Sequence, residues 1–221
     1  HLFALIQDDV MDRSASRPVA MRVKRGGTWV GTSFAELLSQ VQAFSIGLHE
    51  LGVNAGDRLA ILSENRPEWA VTDFACLACR CADVPVYPTL PAHQIEYILR
   101  DSGAVAVCCS SAAQLGKILE IRGNLPALKT IVVFDADAAT GGALTFDSVL
   151  ARGRAAIPKY PTWRADALAV KPDDLATLIY TSGTTGDPKG VMLTHGNITS
   201  DVMAGLQVLD LRQSDEGPSF L

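Results

Sequence analysis

Several things are scarce in this chain, and each shortage excludes something. No apolar run approaches the roughly 20 residues that a membrane-crossing helix needs, because Pro, Gly or charged residues interrupt every one. Basic residues do not predominate: 19 Lys and Arg stand against 24 Asp and Glu, a net charge of −5. That balance argues against a generic nucleic-acid binder, which presents a basic face, and gives no bulk attraction to anionic lipid. There is no basic-then-apolar leader, no internal repeat and no low-complexity tract. Residue 1 is His rather than Met, so the natural N-terminus is expected to be missing or replaced. His1, His49 and His93 have no cysteine or paired carboxylate at ligand spacing and read as incidental. What remains is ordinary for a packed protein: 48% apolar and 19% charged over 221 residues, room for one large domain or two small ones.

Cys76, Cys79 and Cys81 cluster, and Cys108 and Cys109 are adjacent. A metal or iron–sulfur site would need further Cys or His at matching spacing, and none follows. The five are expected to be reduced, buried side chains of a helix and a strand.

The pattern of apolar residues predicts the elements. Leu2, Leu5, Ile6, Val10 and Met11 suggest an amphipathic helix over 2–15. Residues 19–23 and 28–30 flank Gly26-Gly27 and predict a β-hairpin. Ser33 and Glu36 form a capping box for a helix that ends before Gly52. From Asp57 strands and helices alternate: strand 58–62, helix from Pro67 to about Arg80, an extended piece 84–87, helix 92–102, strand 104–109, helix 112–122, strand 131–134. Such alternation implies parallel strands with crossover helices. The expected fold is therefore α/β, a mostly parallel sheet with helices on both faces plus an N-terminal helix and hairpin. The chain divides into 1–56 (helix, hairpin, helix), 57–134 (βα repeats), 135–174 (a connecting segment with a short helix near 146–152) and 175–221.

The last part carries the chemistry. Strand 175–180 leads into Tyr180-Thr181-Ser182-Gly183-Thr184-Thr185-Gly186-Asp187-Pro188-Lys189-Gly190, and strand 191–193 leads out; Thr194 then caps a helix over 195–209. Glycines let backbone approach an anion closely. Successive N–H groups and hydroxyls can then surround phosphate oxygens, and Lys189 adds a full charge with three donors. The string is not a Walker A loop, which needs Lys directly after its second Gly and opens into a helix. A strand–loop–strand context supplies no helix dipole, so the loop is expected to be mobile and to close over bound nucleotide. A plain Gly/Ser/Thr-rich hairpin turn is the bland alternative, and the ordered string with its lysine argues against it. His195 at the following helix start is read as structural, fixing the strand–helix corner. Asp173-Asp174 could suggest a metal site but reads better as a solvated turn, and Tyr87 and Trp69 could touch substrate but read better as core aromatics.

The string resembles the signature phosphate loop of the AMP-forming acyl-CoA synthetases, the adenylate-forming superfamily. The resemblance runs the length of the chain. Asn65-Arg66-Pro67-Glu68-Trp69 looks like the family's helix start. Asp83-Val84-Pro85-Val86-Tyr87-Pro88-Thr89-Leu90 looks like its G-x-V-P-x-Y-P-T segment, with Asp83 departing from the usual small residue. Gln94 to Ala104 is similar to the helix that follows, and Leu193-Thr194-His195-Gly196-Asn197 follows the loop as in relatives. The wording of Tyr87-Pro88-Thr89 is most similar to the long-chain fatty acyl group.

The resemblance implies ATP-dependent activation of a fatty acid to acyl-adenylate and then acyl-CoA, with ATP, Mg2+ and CoA taking part. By position, Thr181, Ser182, Gly183, Thr184, Thr185, Gly186, Lys189 and Gly190 would bind the ATP phosphates. Gly186 and Gly190 would serve loop geometry, and the Thr181 hydroxyl would associate with Mg2+. No catalytic residue is assigned within the chain. The remaining sites, the hinge and the C-terminal domain are expected beyond residue 221, so 1–221 is expected to be an incomplete N-terminal domain that does not make acyl-CoA alone. Adenylation of an aryl, amino or short-chain acid is the alternative activity, and a non-catalytic nucleotide-binding homologue the alternative class. The expected location is cytoplasmic, with peripheral membrane contact left open; oligomeric state is not readable.

Overall fold

The computed structural model describes residues 19–181, 187–209 and 217. The helix expected over 2–15 lies outside the described residues. The hairpin forms as β1 (Met21–Arg25) and β2 (Thr28–Thr32). Gly26 and Gly27 both take positive φ, 56° and 85°, as a twist-matched two-residue turn requires. Next comes α1 (Phe34–Glu50), whose Ser33–Glu36 capping box is made on both sides.

The βα alternation follows the apolar pattern. It runs β3 (Arg58–Leu62), α2 (Pro67–Ala78), β4 (Ala82–Val86), α3 (Ala92–Ser102), β5 (Ala106–Cys109), α4 (Ala112–Ile121) and β6 (Thr130–Val133). Residues 135–174 then contribute to the sheet and the core. Leu144–Thr145 is a short strand, β7, parallel to β6. The helix expected near 146–152 runs further, as α5 (Phe146–Ala156), with Thr145 as its cap. A shorter helix, α6 (Trp163–Leu168), follows. β8 (Leu175–Thr181), β9 (Lys189–Thr194) and α7 (His195–Leu206) complete the described chain.

Among the described residues the main sheet has the order β7-β6-β5-β3-β4-β8-β9, parallel except for the antiparallel β8–β9 pair. Each face buries its own cluster. On one face α1, α2 and α5 cover Leu59, Ile61, Cys108 and Val132. On the other α3 and α4 cover Ala60, Leu62, Val84 and Val107. Alternate residues of β3 thus supply opposite clusters, as the period of a strand dictates, and helices lie on both faces as expected. A register shift between Leu175 and Thr177 breaks the alternation where β8 meets β9.

α1 and α5 cross at van der Waals contact of their backbones. A Cβ on Gly153 would meet the Ala43 carbonyl oxygen at 1.7 Å, and one on Gly47 would meet the Val149 oxygen at 2.3 Å. Glycine is required here by proximity, not by a special φ. Phe146 stacks on Phe44 beside the crossing, with ring centroids 4.5 Å apart.

The five cysteines are free; Cys76, Cys81, Cys108 and Cys109 are buried and Cys79 is half-buried.

Candidate functional site

β8 forms from Leu175-Ala-Thr-Leu-Ile-Tyr-Thr, a run rich in β-branched and aromatic residues. It lies parallel to β4 through the Asp83–Thr177 pair, so its end at Thr181 emerges at the carboxyl edge of the parallel strands. Ligands of open α/β sheets bind outside that edge. The chain returns as β9 in antiparallel register, with Tyr180 opposite Gly190 and Thr181 opposite Lys189. The two strands expected to flank the motif are therefore present. Ser182, Gly183, Thr184, Thr185 and Gly186 lie outside the described residues. The register brings Thr181 and Lys189 together as the closing pair, both exposed.

Two contacts anchor this arm. The Tyr180 hydroxyl donates to Asp101 Oδ2 at 2.7 Å, tying β8 to the end of α3. Burial, and then that acidic partner, push the Tyr180 phenol up, so it remains a donor. Across the ladder the Tyr180 ring lies against Gly190, where a Cβ would stand 3.0 Å from Cζ. Gly190 thus leaves room for the ring.

The base of the arm is held separately. The backbone oxygen of Asp174 accepts from His195 N–H at 3.0 Å, and its carboxylate accepts from Lys171 N–H at 2.9 Å. Arg80 approaches that carboxylate at 3.6 Å. Thr194 and Asn197 close a capping box for α7. His195 is fully buried at this corner, and burial holds its imidazole below the usual range, hence neutral. From Lys189 to His195 the strand covers about 20 Å, so the His195 ring is remote from the Thr181–Lys189 end of the arm.

Beside the arm lies a groove of about 520 Å3 that the sequence reading missed. Tyr87 at the end of β4, His93, Gln94 and Tyr97 on α3, and Tyr180, Asp187 and Pro188 of the arm line it. Tyr87, expected in the core, is 68% exposed at its rim, just past the end of β4 at Val86. Trp69 is half-buried and packs on the core as expected. His93, read as incidental, faces the groove. The signal was the helical spacing of residues 94, 97 and 98 behind a proline-rich turn.

The same edge carries a polar network. Burial pushes the Glu64 carboxyl up, but hydrogen bonds from Ser110 and Gln114 outweigh it and hold it below its ordinary value. Arg66 bonds Glu68, Asp135 and the Ser110 carbonyl. The loops after β3, β5 and β6 are thereby stitched together, and Lys117 fixes the turn after β4 through the Pro88 and Leu90 carbonyls.

The donor set suits an anion chain: a lysine ammonium and a threonine hydroxyl close the arm, and the intervening residues carry hydroxyls and glycine amides. It does not by itself make a metal site. Among the described residues no group of three His, Cys, Asp or Glu is placed to hold a metal ion, and Thr181 offers one neutral oxygen where Mg2+ takes six. Among the described residues, too, no helix is long and apolar enough to cross a membrane.

A family model described as AMP-binding enzyme matches residues 9–219. The long-chain-fatty-acid–CoA ligase FadD15 of Mycobacterium bovis is 39% identical over 176 residues, covering 80% of this chain and 28% of its own. The peroxisomal long chain acyl-CoA synthetase 7 of Arabidopsis thaliana is 34% identical over 220 residues, covering 90% of this chain and 29% of its own. The chain therefore spans less than a third of these relatives' length. Among solved structures, the anthranilate CoA ligase AuaEII in complex with anthranoyl-AMP superposes with a TM-score of 0.73 at 26% identity, over 94% of this chain and 38% of that one.

Proposed function

The chain belongs to the AMP-binding enzyme family, and on that premise we propose that it carries the triphosphate-gripping loop of an ATP-dependent, AMP-forming long-chain fatty acid–CoA ligase. The observation that carries this reading is the β8–β9 arm, which closes Thr181 against Lys189 at the carboxyl edge of the sheet. The substrate class is supported by the names of the relatives at 39% and 34% identity.

In the proposed reaction a fatty carboxylate attacks the α-phosphorus of ATP and pyrophosphate leaves; the thiol of CoA then displaces AMP from the acyl-adenylate. Negative charge grows on the departing pyrophosphate oxygens. Lys189 donates to those oxygens, and its cationic charge offsets theirs more in the transition state than in the ground state. The hydroxyls of Thr181, Ser182, Thr184 and Thr185 and the amides of Gly183 and Gly186 wrap the β- and γ-phosphates. Gly190 keeps Tyr180 flat against the ladder so that the arm holds its pitch. Mg2+, when bound, neutralises phosphate charge; Thr181 offers it one oxygen.

The test is Lys189→Ala in the enzyme encoded by the complete gene. Pyrophosphate release from ATP and palmitate is expected to fall by about 100-fold or more, the usual cost of one preorganised charged donor. Unchanged turnover together with unchanged apparent ATP affinity would remove Lys189 from the phosphate site. The likeness to an anthranilate CoA ligase at 26% identity favours a second reading, adenylation of a different carboxylate. Comparing palmitate with aryl and short-chain acids in the same assay decides between the two.

A further inference from the structure

Three of the five cysteines meet at the turn between α2 and β4, and the functional reading uses none of them. Cys79 caps α2, Arg80 follows with φ of 59°, and Cys81 enters β4. The Cys81 N–H reaches the Cys76 oxygen at 3.0 Å, and the Arg80 N–H reaches the Leu77 oxygen at 3.0 Å. These two nested bonds are a Schellman motif, in which the side chains at the two ends of the outer bond lie against each other. An apolar pair normally occupies those places; here the places belong to Cys76 and Cys81. With the outer bond at 3.0 Å, their Cα atoms can stand no more than about 7 Å apart, near the span that a disulfide bridges.

The three thiols also perturb one another. The neighbouring Cys76, and then Cys79, pull Cys81 down to about 5, and the nearness of Cys81 together with burial pushes the other two well above their usual range; the Cys79 thiol itself donates to the Ser45 oxygen at 3.2 Å. When protonated, Cys81 donates to the Asn54 oxygen at 3.0 Å. Cys79 is half-buried, while Cys76 and Cys81 are fully buried. The β5 pair differs: burial drives Cys108 well up and Cys109 to about 12, which keeps both as unreactive thiols.

We propose that the α2–β4 turn is a reversible thiol-oxidation site at which hydrogen peroxide converts Cys76 and Cys81 into a disulfide. The Cys81 thiolate attacks one peroxide oxygen; the O–O bond breaks, hydroxide leaves and is protonated, and Cys81 becomes a sulfenic acid. The Cys76 thiol then attacks that sulfur. The S–S bond forms, and the hydroxyl leaves as water with the thiol proton. Two thiols lose two electrons in all, and one peroxide becomes two waters.

The experiment treats the 221-residue chain with hydrogen peroxide, blocks remaining thiols with N-ethylmaleimide and maps tryptic peptides by mass spectrometry. Trypsin cleaves after Arg80, so a link from Cys81 to α2 joins two peptides, and fragmentation tells Cys76 from Cys79. The expected result is loss of two of the five maleimide labels, a Cys76–Cys81 link, and recovery of both thiols with dithiothreitol. The link should vanish in Cys76→Ser and Cys81→Ser and persist in Cys79→Ser, each checked for native circular dichroism. Wild-type protein decides the matter even where a variant misfolds. A Cys79–Cys81 link, a sulfinic acid on Cys79 alone, or five intact thiols after tenfold excess peroxide would each overturn the proposal. None of these outcomes bears on the ligase reading.

Discussion

Consider the same substitution, Gly to Ala, placed at two helical positions. At Gly153 the added methyl would sit 1.7 Å from the Ala43 oxygen and 2.8 Å from the Gly47 nitrogen. Both opposing atoms are backbone, so no rotamer change relieves the clash, and α1 and α5 must part by more than an ångström. Parting them unpacks Phe44, Phe146 and Val149, which are buried around the crossing. Overpacking of a core typically costs about 1–3 kcal/mol; with backbone on both sides the cost should reach about 3 kcal/mol, a large share of the 5–15 kcal/mol that holds a domain folded. At Gly116, inside α4, an added Cβ meets nothing within 4 Å. There the methyl only removes the entropy penalty of glycine in a helix, so Gly116→Ala should stabilise by about 0.5–1 kcal/mol. Urea unfolding followed by tryptophan fluorescence reads both values; Trp163 reports on α1 through its 2.8 Å bond to Ser45 Oγ. If Gly153→Ala falls within 0.5 kcal/mol of wild type, or if the two substitutions move the midpoint in the same direction, the reasoning from close approach fails.

Arg80 holds a left-handed φ of 59° that costs a non-glycine residue about 1 kcal/mol, and its ion pair with Asp174 is partly exposed and worth a few tenths. Arg80→Gly should therefore raise the thermal midpoint by about 1–2 °C, and a fall would show that the ion pair outweighs the strain. Burial raises Asp83 to about 7, above the ordinary carboxyl value near 3.9. The folded chain thus binds that proton more tightly, and the stability it lends is whole below about pH 4 and lost as pH climbs to about 7. Asp83→Asn should flatten the decline in unfolding free energy across that window, and an unchanged slope would exonerate Asp83. Tyr180→Phe removes the 2.7 Å bond to Asp101 and should cost about 1 kcal/mol; an unaltered urea midpoint would mean that packing alone holds the arm.

Local features were legible in the sequence wherever the cause was local. The Ser33–Glu36 capping box, the Gly26-Gly27 turn and the alternation from β3 to β6 depend on neighbouring residues, and each was read at nearly its true bounds. The phosphate motif was visible because its hydroxyls, glycines and lysine are contiguous. Features made by distant segments were not legible. Gly153 and Gly47 lie far apart in sequence, and neither carries a mark of the crossing they permit. The groove beside the arm needs the end of β4, one face of α3 and Asp187 together, so local pattern alone favours a core place for Tyr87 and gives His93 no role. β7 is two residues long, too short for periodicity to register. Arg80 was hidden for another reason: a left-handed turn position is ordinarily read from glycine, and here none stands.

The two edges of the main sheet are unequal. β7 presents two half-buried residues, too few to template another strand. β9 runs for six, with Val191 and Met192 exposed and, among the described residues, no neighbour beyond it. Its outward N–H and C=O groups form a row that any extended chain can complete. Concentrated solutions of the isolated chain should therefore scatter light progressively as strands stack edge to edge, and a charged residue in place of Met192 should keep them clear.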